Sequence, residues 1–112
     1  MAFPCTGFSI GTPPGFDADI RRALDQKRLI EIDYEGKRKI VEPHDYIVHR
    51  GIFRLLAYQI RGATSSRLPG WRDLDLGKVT RLVVLDEAFA GSRGDEYPQH
   101  RRWDIVLARV KP

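Results

Sequence analysis

The chain has almost no cysteine: Cys5 is the only one in 112 residues. An internal disulfide is excluded, and so is any metal site built on several thiolates. A reducing cytoplasm is the compartment this composition predicts. Long apolar runs are also missing, none approaching the roughly 18 residues that cross a bilayer. The start, Met1-Ala2-Phe3-Pro4-Cys5, lacks the basic residues and long apolar stretch of a signal peptide. No G-x-x-x-x-G-K phosphate loop occurs. No Ser-His-Asp or Cys-His ordering stands out, and Cys5 lies in an arm rich in glycine and proline. His44 and His49, with no cysteine near them, make a poor zinc pair. The carboxylates alternate with lysine and arginine, as surface ion pairs do. These absences predict a protein that is not an enzyme and carries no cofactor and no metal.

What the chain does contain is ordinary in amount and informative in arrangement. Hydrophobic residues make up 42% and charged residues 30%, with a net charge of +4. That is enough for one domain with one modest core. The basic bias suits a nucleic-acid or nucleotide partner without demanding one.

Residues 1–16 carry Gly7, Gly11, Pro13, Pro14 and Gly15 and read as an irregular arm. Asp17 offers a helix N-cap, and Ile20, Ala23 and Leu24 share one face at helical spacing, so a short helix is expected over 17–27. From there the period changes to two. Ile30, Ile32 and Tyr34 alternate with Glu31 and Asp33, as in a half-buried strand. Glu35-Gly36 turns into a basic strand, 37–41, which Pro43 is expected to end. Further strands are expected at 46–48, 52–60, 71–76 and 79–85, with a loop from Gly62 to Gly70. After a polar break at 91–96, the run 103–110 reads as an added C-terminal strand, paired with the rest of the sheet or with a second copy. Short strands joined by tight turns favour a strongly bent sheet or small barrel. The expected fold class is therefore mainly β with one short N-terminal helix.

Across residues 17–86 the order and spacing of these pieces resemble the WYL domain, a family of bacterial ligand-sensing modules. The resemblance is carried by the helix with Ile20 to Leu24 and by the strand Ile30-Glu31-Ile32-Asp33-Tyr34. It continues in Arg38-Lys39-Ile40-Val41-Glu42-Pro43, in Phe53-Arg54-Leu55 followed by Ala57-Tyr58, and in Arg72-Asp73-Leu74-Asp75-Leu76-Gly77-Lys78-Val79. Phe53 stands where the signature has tryptophan, Arg54 where it has tyrosine, and Lys78 where arginine is usual. The resemblance implies an Sm-like β-barrel that binds anionic ligands, including single-stranded nucleic acid and nucleotides, through basic and aromatic residues. Most members carry a winged helix-turn-helix ahead of this domain, and residues 1–16 leave no room for one. A stand-alone WYL-like module, with a C-terminal extension over 87–112, is the expected organisation.

The candidate ligand-binding residues are Arg54, Tyr58, Arg72, Lys37, Arg38, Arg61 and Lys78. Arg54 and Tyr58 share one side of strand 52–60, with Arg54 suited to a phosphate and Tyr58 to stacking a base. The competing reading pairs Arg54 with Glu31 or Asp33 and leaves Tyr58 as amphipathic core. Arg72 shares a side with Leu74 and Leu76 at the rim of the apolar face, where its fork can grip a phosphate or pin an aspartate of a neighbouring chain. Trp71 points the other way and is expected to be packed. Lys37, Arg38 and Lys39 form a compact basic cluster, either solvated or steering phosphate. Arg101-Arg102-Trp103 either extends a nucleic-acid groove or shields a strand entrance. The expected function is a regulatory binding module or accessory protein for single-stranded nucleic acid or a nucleotide. The competing function is a protein-interaction module, forming a homodimer or heterocomplex through the C-terminal strand.

Overall fold

The period-two alternation from residue 28 onward becomes one antiparallel sheet. In the computed structural model, which describes residues 15–93 and 104–112, a helix α1 (Asp17–Gln26) precedes six strands. These are β1 (Arg28–Tyr34), β2 (Lys37–His49), β3 (Ile52–Gly62), β4 (Gly70–Asp75), β5 (Val79–Ala88) and β6 (Ile105–Arg109), with a single 3-10 turn, Leu76–Lys78, between β4 and β5. The hydrogen-bonded order is β4-β3-β2-β1-β5, and β6 lies beside β2. The mainly-β class with one helix is as the sequence indicates.

The helix buries Ile20, Ala23 and Leu24, as its spacing requires. Asp17 does not cap it. Phe16 is the N-cap residue, without a side-chain bond. The Asp17 carboxylate is taken instead by the Tyr46 hydroxyl, which donates at 2.6 Å, and by Arg21 at 3.1 Å. Tyr46 is fully buried. Burial first, and then the negative Asp17, push its phenol well above the usual range, while the same hydrogen bond is the main force holding the Asp17 carboxyl low.

Pro43 does not end a strand either. The expected strands 37–41 and 46–48 are one strand, β2, which pairs with β3 from Lys39 to His49. On its other side β2 changes partner: Val41 is the last residue opposite β1, and Asp45 the first opposite β6. Pro43 falls in that gap, beside a register shift between Pro43 and Asp45, where a missing N–H costs no ladder bond. The C-terminal strand thus pairs within its own chain.

Topology forces the sheet to curl. In a flat sheet β4 and β5 would stand four strand spacings apart, about 19 Å. Here they are joined by a 3-10 turn that rises only about 2 Å per residue. The Tyr34 hydroxyl accepts the Asp75 N–H at 3.2 Å, and the Glu35 N–H donates to the Lys78 carbonyl at 3.3 Å, so the end of β1 is tucked beneath this link. No ladder joins β4 to β5 among the described residues. The concave side holds the core: Ile30, Ile32, Val41, Tyr46, Leu55, Ala57, Leu74 and Leu76 pack with the buried face of α1. No helix among the described residues is long and apolar enough to cross a membrane.

Candidate anion-binding site

The inward face of β2 carries Lys39 in series with Val41, and the inward face of β4 carries Arg72 in series with Leu74. Both cations are therefore drawn into the concave side of the sheet. Lys39 is only 6% exposed. Its ammonium donates to the Ala63 carbonyl at 2.8 Å and to Gln59 Oε1 at 3.4 Å. Arg72 Nε donates to the same Gln59 oxygen at 2.9 Å. Arg72 Nη1 reaches the Trp71 carbonyl at 2.9 Å, and Nη2 reaches Thr64 Oγ1 at 3.3 Å and the Arg67 carbonyl at 3.0 Å. Gln59 is completely buried, and its Nε2 donates to the carbonyls of Arg61 and Ala63. Two cations thus share one neutral acceptor, and among the described residues no carboxylate forms an ion pair with either. Burial, and then the positive charges of Arg72 and Lys37, hold the Lys39 amine below its ordinary range.

This pair sits in a cavity of about 360 Å³ lined by Tyr34, Glu35, Lys37, Lys39, residues 64–66, Arg72, Asp73 and Leu74. The size is that of a small-ligand site. Two acids also line it, and each is paired with a cation that does not: Arg54 lies 3.4 Å from Asp73, and Lys78 lies 3.6 Å from Glu35. Lys37, Lys39 and Arg72 are left as the uncompensated charge of the cavity.

The sequence-derived candidates therefore fall into three groups. Arg72 and Lys37 line the cavity. Arg54 and Lys78 stand beside it as partners of its two acids; the pairing of Arg54 with a strand neighbour was anticipated, though the neighbour is Asp73 rather than Glu31 or Asp33. Tyr58, Arg38 and Arg61 do not line it. Arg38 lies 3.6 Å from Glu31, which also takes Arg81 at 2.9 Å, and Arg61 bonds Glu87 at 2.8 Å. Tyr58 faces Trp71 across β3 and β4 with the rings edge-on at 5.2 Å, and the Arg93 guanidinium lies 3.8 Å over its ring. His44 completes that cluster, edge-on to Trp71 at 4.8 Å. Trp71 is packed, as expected. Arg101, Arg102 and Trp103 lie outside the described residues.

Three contributors were missed: Lys39 as a buried residue, Gln59 and the loop 63–69. Lys39 had a legible signal, because alternation places it with Val41 rather than with exposed Arg38. Gln59 had the same signal through Leu55 and Ala57. The loop had none, since its place depends on Arg72 folding back to hold it. No His, Cys, Asp or Glu group suited to a metal ion occurs among the described residues. Comparison with family models, with curated proteins and with solved structures returned no match to this chain.

Proposed function

We propose that this protein is a WYL-like, Sm-like regulatory binding module that takes a phosphate-bearing ligand, single-stranded nucleic acid or a nucleotide, in the Lys39–Arg72 cavity. One observation carries this reading. Two buried or half-buried cations share the Gln59 oxygen in a cavity, and the two acids that line it, Asp73 and Glu35, are paired with Arg54 and Lys78 and not with them. Such an arrangement is costly unless an anion visits it. The partly desolvated, hydrogen-bonding wall then raises the attraction for that anion above its value in water.

The test is binding of labelled oligonucleotides and nucleotides by fluorescence anisotropy at low and high salt. Affinity should fall steeply with salt. Lys37→Glu, an exposed change on the cavity wall, should weaken binding by about tenfold or more. Equal binding by wild type and Lys37→Glu at low salt refutes the site. A second reading, self-association into a homodimer, is favoured by Ile105 and Val106, which are 39% and 44% exposed on β6. Sedimentation at several concentrations, with and without an oligonucleotide, separates the two readings.

A further inference from the structure

We infer that the cavity recognises a terminal phosphate monoester, on a small sugar phosphate or on the end of a strand, and not the internal phosphodiesters of a chain passing through. This rests on the anion-binding reading above and narrows it. The first argument is the balance of donors and acceptors. Lys39 has three N–H groups and spends two on Gln59 and Ala63, leaving one. Arg72 has five and spends one at Nε, one at Nη1 and two at Nη2, leaving one on Nη1. The Tyr34 oxygen accepts the Asp75 N–H, so its own proton is left to donate. Thr64 Oγ1 accepts from Ser66 N and from Arg72, so its hydroxyl proton is left as well. Lys37 adds an ammonium on the wall. The residues that line the cavity therefore keep several N–H and O–H donors in hand. A phosphate monoester presents three terminal oxygens and a charge of about −1.5 to −2 at neutral pH, where a diester presents two oxygens and one charge.

The second argument is the acids of the wall. Glu35 and Asp73 line the same cavity. A chain continuing on both sides of the bound phosphate would bring its neighbouring phosphates toward those carboxylates, a like-charge contact. A terminal phosphate brings none. The third argument is that, among the described residues, no stacking platform stands where a base would lie. Tyr34 is the one aromatic residue among them that lines the cavity, while Tyr58 and Trp71 are engaged with each other in a separate cluster. Recognition should therefore be largely indifferent to the base.

The experiment is competition against a 3′-labelled, 5′-phosphorylated oligonucleotide. The competitors are the same oligonucleotide with a 5′-hydroxyl, a 3′-phosphorylated version, a nucleoside 5′-monophosphate, ribose 5-phosphate and a nucleoside 3′,5′-cyclic monophosphate. Species with a terminal phosphate should compete at least about tenfold better than the 5′-hydroxyl and cyclic species. Ribose 5-phosphate should match the nucleotide to within about threefold. Phosphorylated strands binding more tightly than the monophosphates identify a strand end as the source. The reverse order identifies a small sugar phosphate. Lys39→Met should remove the preference for terminal phosphate, while Arg22→Ala on the helix surface leaves it intact. A 5′-hydroxyl strand that competes as well as its phosphorylated form overturns this inference while leaving the anion-binding reading standing. Failure of every phosphate-bearing probe to bind overturns both.

Discussion

Replacing Lys39 by methionine should weaken binding of a terminal phosphate by about tenfold or more and leave the stability of the fold nearly unchanged. Few buried charges permit so clean a separation. The usual penalty for removing one member of a polar network comes from the partners left unsatisfied. Here none is. The Ala63 carbonyl keeps Gln59 Nε2 at 3.2 Å, and Gln59 Oε1 keeps Arg72 Nε at 2.9 Å. The loss is two hydrogen bonds from a charged donor, one at 2.8 Å and one long at 3.4 Å, together worth about 2–4 kcal/mol. Against this stands the relief of a like-charge contact with Arg72, about 2–4 kcal/mol for unit charges 4–8 Å apart at an effective dielectric of 20, plus the desolvation of a residue only 6% exposed. The opposing terms nearly cancel, so the variant should stay within about 2 kcal/mol of wild type, with Tm shifted by no more than about 10 °C. Linkage supplies an independent check. The folded-state pKa of Lys39 lies below its unfolded value. Between those two values the unfolded chain holds more protons, so wild-type stability should rise with pH toward about 10.5, and the methionine variant should lack that increment. Urea denaturation of both proteins from pH 7 to 10, beside anisotropy with a phosphorylated probe, gives the measurement. A loss of more than about 2 kcal/mol at pH 7, or retained binding, refutes the reasoning.

Three other perturbations probe the parts around this site. Tyr46→Phe should cost about 1.5–3 kcal/mol, since it removes a 2.6 Å bond to the Asp17 carboxylate. Asp17 has a lowered pKa in the fold, so its contribution is present above about pH 3.8 and lost as pH falls through the folded value; the deficit of Tyr46→Phe should shrink in acid denaturation series. His44, held below its ordinary range mainly by burial, should make wild type lose stability as pH drops below about 6.5, and His44→Phe should remove that slope in urea midpoints between pH 7.5 and 5. Gly62→Ala should cost at least about 2 kcal/mol and weaken phosphate binding, because Gly62 has φ +101° and a Cβ there would run into the Arg38 carbonyl and sit 2.8 Å from Lys39 Cα.

The period of the sequence made the strands legible, and its limits mark where reading failed. Alternation put Arg72 on one side with Leu74, and both line the cavity. Pro43 misled because a proline's effect depends on which partner lies on its N–H side, and the change from β1 to β6 is a property of the whole sheet. Lys39 misled because its two exposed neighbours, Lys37 and Arg38, made a solvated cluster the natural reading, although its own position is inward. The ion pairs of Arg38, Arg61 and Lys78 were invisible for a plainer reason: Glu31 meets Arg38 across the β1–β2 pair, and Glu87 and Glu35 reach Arg61 and Lys78 from segments far off in sequence, which no local pattern fixes.

The cavity has a local cause at the end of β3. β3 ends at Gly62, directly opposite Lys39 on β2, and only a residue without a side chain lets the two backbones approach there. That approach brings the Ala63 carbonyl onto the Lys39 ammonium and the Ala63 N–H onto the Arg38 carbonyl at 2.8 Å. The chain then leaves β3 as a loop lying over the inward face, and Arg72 fastens it through Thr64 and Arg67. Gly70 takes part in the same arrangement, since a Cβ at that position would lie 2.8 Å from Arg72 Nη1. The cations therefore do two things with one set of charges. Three of their donors hold the loop that walls the cavity, through Ala63, Thr64 and Arg67, and two are left over. An anion that took those remaining donors would add attraction without breaking the bonds that fasten the loop. On this argument, ligand should raise thermal stability and slow amide exchange in residues 63–67, and exchange there that is unchanged by a bound phosphate would separate the wall from the site.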